Sequence, residues 1–365
     1  VTEHPTEPAA AKARRGGGRY GCLVVVLALL VASGILAFQR PLVGIPALVA
    51  MALGCVYLMR HAVRRERAER ADEVQRLRAI SPPIGQAWRK LLQAEGLGSH
   101  VDALAKHTRT AVRLVTRPCE QVSLGQSRIG GTPDLPGDFE WPTYRGKPLA
   151  FVAQLDLAEI RRVLPDGPLP PDGSLWFFFD ADQDAAGYSP KHAGGSAAVF
   201  RAAGTKLVRT PAPAGATTHG VFRACSIEAE AYEDIPDLGE DSPLDRVLDE
   251  VEAEAYFAIR TFLSAAGGQG AHKLLGLPEP VQSAMELECQ LATNGIDCGI
   301  FVRHADPRVV ELAAKKHEWR LLLQVDSDPS AGMMWGDAGR LYFWIRDEDL
   351  RERRFERCWT IMQCH

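Results

Sequence analysis

No pair among the eight cysteines of this 365-residue chain has CxxC spacing. That leaves no sulfur-ligand metal signature and no dithiol redox motif. The sequence also has no serine-centred elbow, no HExxH, no phosphate loop and no dinucleotide glycine pattern, so the commonest hydrolase, NTPase and dehydrogenase classes have no foothold in it. Basic charge is scarce where a fold would sit. Residues 1–80 carry 12 Lys+Arg against 6 Asp+Glu, a net of +6, and since the whole chain is −4 the remaining residues carry −10. An acidic body argues against a phosphate-tracking surface, so no nucleic-acid partner is expected. No cofactor and no metal are expected either. Asp180-Ala-Asp182-Gln-Asp184 looks at first like a calcium loop, but the glycine falls at the eighth position and Lys191 stands where a bidentate glutamate is needed.

What is present is repetition. Three phrases occur twice in the same order. The first set is Ser127-Arg-Ile-Gly-Gly-Thr-Pro133, Phe151-Val-Ala-Gln-Leu-Asp156 and Gly173-Ser-Leu-Trp-Phe-Phe-Phe179. The second is His272-Lys-Leu-Leu-Gly-Leu-Pro278, Leu321-Leu-Leu-Gln-Val-Asp326 and Gly339-Arg-Leu-Tyr-Phe-Trp-Ile345. A repeated order of basic-apolar-x-Gly-x-Pro, apolar-Gln-x-Asp and Gly-x-Leu-aromatic implies a duplicated structural unit. The expected units run over about 111–226 and 268–365. Short strands between proline- and glycine-rich turns predict an α+β domain over 81–365, with two curved, mainly antiparallel sheets and peripheral helices.

The phrases also carry a resemblance. Gly130-Gly131-Thr-Pro133-Asp-Leu-Pro136 with Trp141-Pro142 resembles the YwqG-like family. So do Pro148–Gln154, His272–Pro278 with Gln282, and Leu321–Asp328 with Met334-Trp-Gly-Asp337. The resemblance spans roughly residues 84–365. It implies a bacterial α+β domain of unassigned activity, and it supplies no catalytic residues.

The N-terminal part departs from that pattern. Residues 1–20 read as a disordered basic segment. Gly21–Phe38 and Pro41–Met59 are uncharged runs of 18 and 19 residues. As helices they would be about 27–29 Å long, near the thickness of a bilayer core. They predict a transmembrane hairpin over 21–59, with the lipid bilayer as a partner. A cleaved signal peptide would leave the second run unexplained. Lys12, Arg14, Arg15 and Arg19 precede the hairpin and five arginines from Arg60 to Arg70 follow it, so both ends are expected in the cytoplasm, at the inner membrane. Residues 60–80 read as a charged juxtamembrane helix, ended by Ser81-Pro82-Pro83.

Candidate site residues come from the second phrase and its surroundings. In a strand, Gln154 with Asp156, and Gln324 with Asp326, project to one face about 6.6–6.8 Å apart. Asp156 also fits as a helix N-cap, with Glu159 placed for a capping box. Asp326, Asp328, Trp335 and Asp337 have no following helix to explain them, and turn formation is their simplest role. His272 stands where the first copy has Ser127. Two functions follow. One is a membrane-anchored binding or scaffold module for a protein or small molecule, favoured because no catalytic constellation is visible. The other is an enzyme, hydrolytic in kind, using Asp326, Asp328, Asp337 and His272.

Overall fold

The computed structural model describes residues 87–238, 247–265, 271–299, 302 and 304–365. The segments expected to form the basic N-terminus, the hairpin and the juxtamembrane helix therefore lie outside the described residues. No helix among the described residues is long and apolar enough to cross a membrane.

In chain order the main elements are α1 (Ala87–Ala94), α2 (Val101–Ala105), β1 (Arg109–Pro118), β2 (Arg128–Ile129), β3 (Ala150–Asp156), α3 (Leu157–Val163), β4 (Ser174–Phe179), β5 (Ser196–Arg201) and β6 (Cys225–Asp234). They continue with α4 (Glu250–Ala265), β7 (Lys273–Leu275), α5 (Glu286–Thr293), α6 (Pro307–Ala313), β8 (Trp319–Asp326), β9 (Arg340–Arg346), α7 (Asp347–Arg351) and β10 (Trp359–Gln363).

The ten strands form one antiparallel sheet, in the order β10-β9-β8-β7-β1-β6-β2-β3-β4-β5. The expectation of two curved sheets is thus corrected to one large sheet, beside which stand two small two-stranded ladders, Asp134–Pro136 with Leu207–Arg209 and Thr143–Tyr144 with Lys147–Pro148. The reason is the central pair: β1 and β6 run antiparallel over ten residues, from Arg109↔Asp234 to Pro118↔Cys225, and join what would otherwise be separate halves.

The halves are equivalent in detail. β3 pairs with β4 through Gln154↔Trp176 and Leu155↔Leu175, and β8 pairs with β9 through Gln324↔Tyr342 and Val325↔Leu341. Both pairs have a register break at the same place, between Phe151 and Ala153 and between Leu321 and Leu323. Arg128↔Gln154 is matched by Lys273↔Gln324. On this equivalence β1 corresponds to β6. Each first strand lies in the other half, β1 beside β7 and β6 beside β2. The second unit consequently begins with β6 at Cys225, and the halves are intertwined rather than docked.

Alternating side chains divide the sheet into two faces. Leu175, Phe177 and Phe179 of β4 join Leu341, Phe343 and Ile345 of β9 in one shared core, where the equivalent rings of Phe177 and Phe343 meet edge to face at 5.0 Å. The other face carries two separate clusters. Trp176 and Phe178 pack under Leu135, Tyr144 and Leu149, while Tyr342 and Trp344 pack against Met285 and Cys289 of the α5 region. Leu175–Phe179 is therefore buried on both faces, as its continuous apolar run predicts. The sheet curls until its ends meet: the loop after β4 reaches β10, where Met362 N–H donates to Ala186 O and Trp359 Nε1 to Gly187 O. A nearly closed sheet leaves no long free edge.

Local expectations fare unevenly. Asp156 caps α3 by accepting from Ala158 N–H at 2.9 Å, but Glu159 accepts from Ser127 N–H rather than completing a capping box. Asp347 is the first residue of α7, and Arg346 holds the cap position. On α4 the buried face is Tyr256, Ile259 and Phe262, while Val251, at the apolar spacing of Ile259 and Phe262, is 74% exposed. α1 packs on α4, and Trp88 Nε1 donates to Glu233.

Candidate functional site

The repeated motif is first of all a structural lock, and it is the same lock twice. Each copy places a cation at the start of its phrase and an acid six residues on, just after the proline: Arg128 with Asp134, and Lys273 with Glu279. The glutamine of the second phrase holds the loop between them. Gln154 Oε1 accepts from Asp134 N–H at 2.8 Å while its Nε2 donates to Gln126 O; Gln324 Oε1 accepts from Glu279 N–H at 2.9 Å while its Nε2 donates to Ala271 O. The third phrase adds a donor to the acid's carbonyl, from Trp176 Nε1 at 2.9 Å in one half and from the Tyr342 hydroxyl at 2.6 Å in the other. Gln154 and Gln324 are both fully buried, with their amides spent on these bonds.

His272 follows the same logic. Its Nδ1 accepts from Asp326 N–H at 3.2 Å, as Ser127 Oγ accepts from Asp156 N–H at 2.9 Å. Its Nε2 lies 3.2 Å from Asp328 Oδ2, which also accepts from the Thr116 hydroxyl; Asp328 Oδ1 accepts from Ser330 N–H. Burial pushes the Asp328 carboxyl up, but the bonds from His272, Ser330 and Thr116 outweigh it and hold it at about 2. Both side chains of this pair are sealed from solvent. Trp335 is buried in the shared core against Phe179 and Phe222. Asp337 is exposed on a turn, and its carbonyl accepts from His365 N–H. Asp326, Asp328, Asp337 and His272 do not share a cavity.

Asp326 alone of these lines the largest described cavity, about 570 Å³, between α4, the Glu279–Val281 segment and the adjoining ends of β8 and β9. Around it stand Asp237, Glu279, Arg260, Arg340 and Ser264. Their charges alternate in a chain. Lys273 Nζ lies 3.0 Å from Asp234 and 2.9 Å from Glu279; Arg340 reaches Glu279 at 3.3 Å and Asp326 at 3.1 Å; Ser264 donates to Glu279 at 2.7 Å; Arg260 pairs with Asp237. Burial pushes the Glu279 carboxyl up, but Lys273 and Arg340 prevail and hold it at about 2. Burial pulls the Lys273 ammonium down, yet Asp234 and Glu279 leave it above the usual lysine range. No group of metal-binding side chains forms among the described residues.

Residues 127–364 match the family described as Domain of unknown function (DUF1963). That is well over half of the chain.

The chain belongs to the DUF1963 family.

The YwqG-like resemblance is compatible with this membership. Comparison with curated proteins returns no match. The fold begins before the family match, since β1, which completes the second half of the sheet, ends at Pro118.

Sequence reading missed Glu279, Arg340, Arg260 and Asp237. A signal for the first was available: both copies continue from proline directly to an acid, Pro133-Asp134 and Pro278-Glu279. Arg340 lay inside the Gly-x-Leu-aromatic phrase, as its variable position. Arg260 and Asp237 carry no motif and are brought to the cavity only by the packing of α4.

Proposed function

We propose that this DUF1963 protein is a membrane-anchored binding module whose site is the cavity beside α4 in the second half. The observation that carries the reading is the cavity itself: an open space of about 570 Å³ walled by five charged side chains. Pockets of about 300–1,000 Å³ with a few convergent polar groups are the usual form of a small-ligand site. The buried His272–Asp328 pair is sealed from solvent and is not part of the cavity lining. The two uncharged runs at 21–38 and 41–59 support an anchor, with the positive residues on either side setting a cytoplasmic orientation.

A thermal-shift screen of the full chain in detergent, against cationic, anionic and zwitterionic molecules, tests the site. At least one should raise the melting temperature of the wild type and have no effect on Thr261→Trp, in which an exposed α4 residue on the cavity wall fills the space. A screen with no Trp-sensitive ligand would remove the basis of the reading. For the anchor, a reporter fused after His365 should be active in the cytoplasm, and periplasmic activity would reverse the topology.

A further inference from the structure

The two halves differ in what covers one equivalent segment. In the first half, Asp134–Pro136 is not bare: the segment Leu207–Arg209 lies along it as an antiparallel ladder, through Asp134↔Arg209, Leu135↔Val208 and Pro136↔Leu207. Thr210 N–H donates to Pro133 O at 2.9 Å, and antiparallel alternation puts the next bonded pair at Leu135 and Val208. Arg209 then turns its guanidinium onto Asp134 and donates to Val122 O.

Glu279–Val281 is the counterpart of Asp134–Pro136 in the second half. Among the described residues no strand pairs with it, and it forms a wall of the cavity. The N–H groups of this wall are already committed: Glu279 donates to Gln324 and Val281 to Gln363, while Pro280 has none. What the wall can offer an incoming segment is therefore carbonyl oxygen, at the positions that correspond to Pro133 and Leu135, namely Pro278 and Pro280. The lining has one negative charge in excess, with Asp237, Glu279 and Asp326 against Arg260 and Arg340. Phe257, 59% exposed, stands at the cavity as an aromatic surface for a cation.

Resting on the binding-module reading, we propose that the occupant of this cavity is a short extended peptide of a partner protein, carrying an arginine. It adds along Glu279–Val281 as Leu207–Arg209 adds along Asp134–Pro136. Strand addition takes its affinity from main-chain hydrogen bonds and its selectivity from alternate side chains. Here the peptide must be the donor, since the wall has no N–H to give, and the excess acid selects a basic side chain. Three residues of ladder span about 10 Å.

The chain supplies its own probe. A fluorescent hexapeptide with the sequence of Lys206–Pro211 (Lys-Leu-Val-Arg-Thr-Pro) is titrated, to about 1 mM, into the full chain in detergent, with polarisation as the readout. Saturable binding is expected. It should weaken at least about tenfold when glutamate replaces the peptide's arginine, when its valine N–H is methylated, and when the protein carries Thr261→Trp with an unchanged melting temperature. Absence of saturable binding, or binding indifferent to these three changes, overturns the proposal. Arginine amide binding as tightly as the hexapeptide also overturns it, while leaving a Trp-sensitive small-cation site and hence the binding-module reading intact. If no ligand of any class is sensitive to Thr261→Trp, both fall.

Discussion

At the scale of single residues, the polar groups that stand out in the sequence are mostly occupied in holding the fold. Asp328 is the clearest case. It is buried, ionised and surrounded by three donors, and its carboxyl is held at about 2. In an unfolded chain an aspartate titrates near 3.9. A carboxylate whose folded value is depressed contributes stability above the unfolded value, and that contribution is lost as the pH falls through the interval towards the folded value. For Asp328 the contribution is on the order of 2 kcal/mol at neutral pH. Glu279, also held at about 2, adds in the same direction. The unfolding free energy, followed by tryptophan fluorescence in urea from about pH 6 to pH 3, should therefore fall as acid is added. Asp328→Asn should be less stable at neutral pH and show a shallower acid slope. An identical slope for the variant would contradict the assignment of an ionised, donor-surrounded Asp328. The sequence marked Asp328, His272 and the two glutamines as unusual, but it could not separate a buried lock from a binding group. That distinction rests on what lies opposite each side chain, and Gln126 O, Thr116 and Ser330 are far away in sequence or unmarked by any motif.

At the scale of elements, the glycines of the first phrase explain why the phrase repeats. Gly131 and Gly276 both have positive φ, +70° and +77°. A Cβ on Gly131 would stand 2.7 Å from the Cβ of Ala224, and one on Gly276 would stand 2.5 Å from that of Ala111 and 2.6 Å from Asp234 Oδ2. Ala111 belongs to β1 and Ala224 immediately precedes β6, so each glycine lets its turn close on the strand donated by the other half. Gly131→Ala and Gly276→Ala should each cost about 2–4 kcal/mol, from left-handed strain plus overpacking. Gly276→Ala should cost more, because Asp234 is crowded as well. Adding Ala224→Gly to Gly131→Ala should recover about 1 kcal/mol, as a coupling in a double-mutant cycle of urea unfolding. Strict additivity would mean that the two residues do not meet. The strands of the repeated phrases were readable from their apolar runs and bounding turns, and so was the Asp156 cap, but β6 was not, because Glu228, Glu230 and Glu233 give it the look of an acidic surface stretch. On α4, Ile259 and Phe262 were readable as core residues from their helical spacing, while Tyr256 was not, because the register of the buried face depends on α1 docking against it. The charged cavity was not either, because Asp237, Arg260 and Arg340 share no local pattern and meet only around the cavity beside α4.

At the scale of the whole molecule, duplication was legible and its consequence was not. Matching phrases tell that two units exist. They do not tell whether the units stand side by side as two sheets or exchange strands into one, because that choice is made by the pairing of β1 with β6, and neither strand carries a repeated phrase. The exchange places Phe177 beside Phe343 and gives both halves a single interior. It also leaves the second half with a counterpart of the Asp134–Pro136 ladder that no strand covers among the described residues, which is where the cavity lies. Neither half contains all the strands that its own array needs. The most direct test divides residues 87–365 within the exposed loop at Ala214-Gly215 and purifies the fragments 87–214 and 215–365 separately. The account predicts that neither fragment alone gives a folded monomer by circular dichroism and sedimentation, and that mixing them restores a cooperatively melting one-to-one complex. Two fragments that fold independently as monomers and do not associate would contradict it.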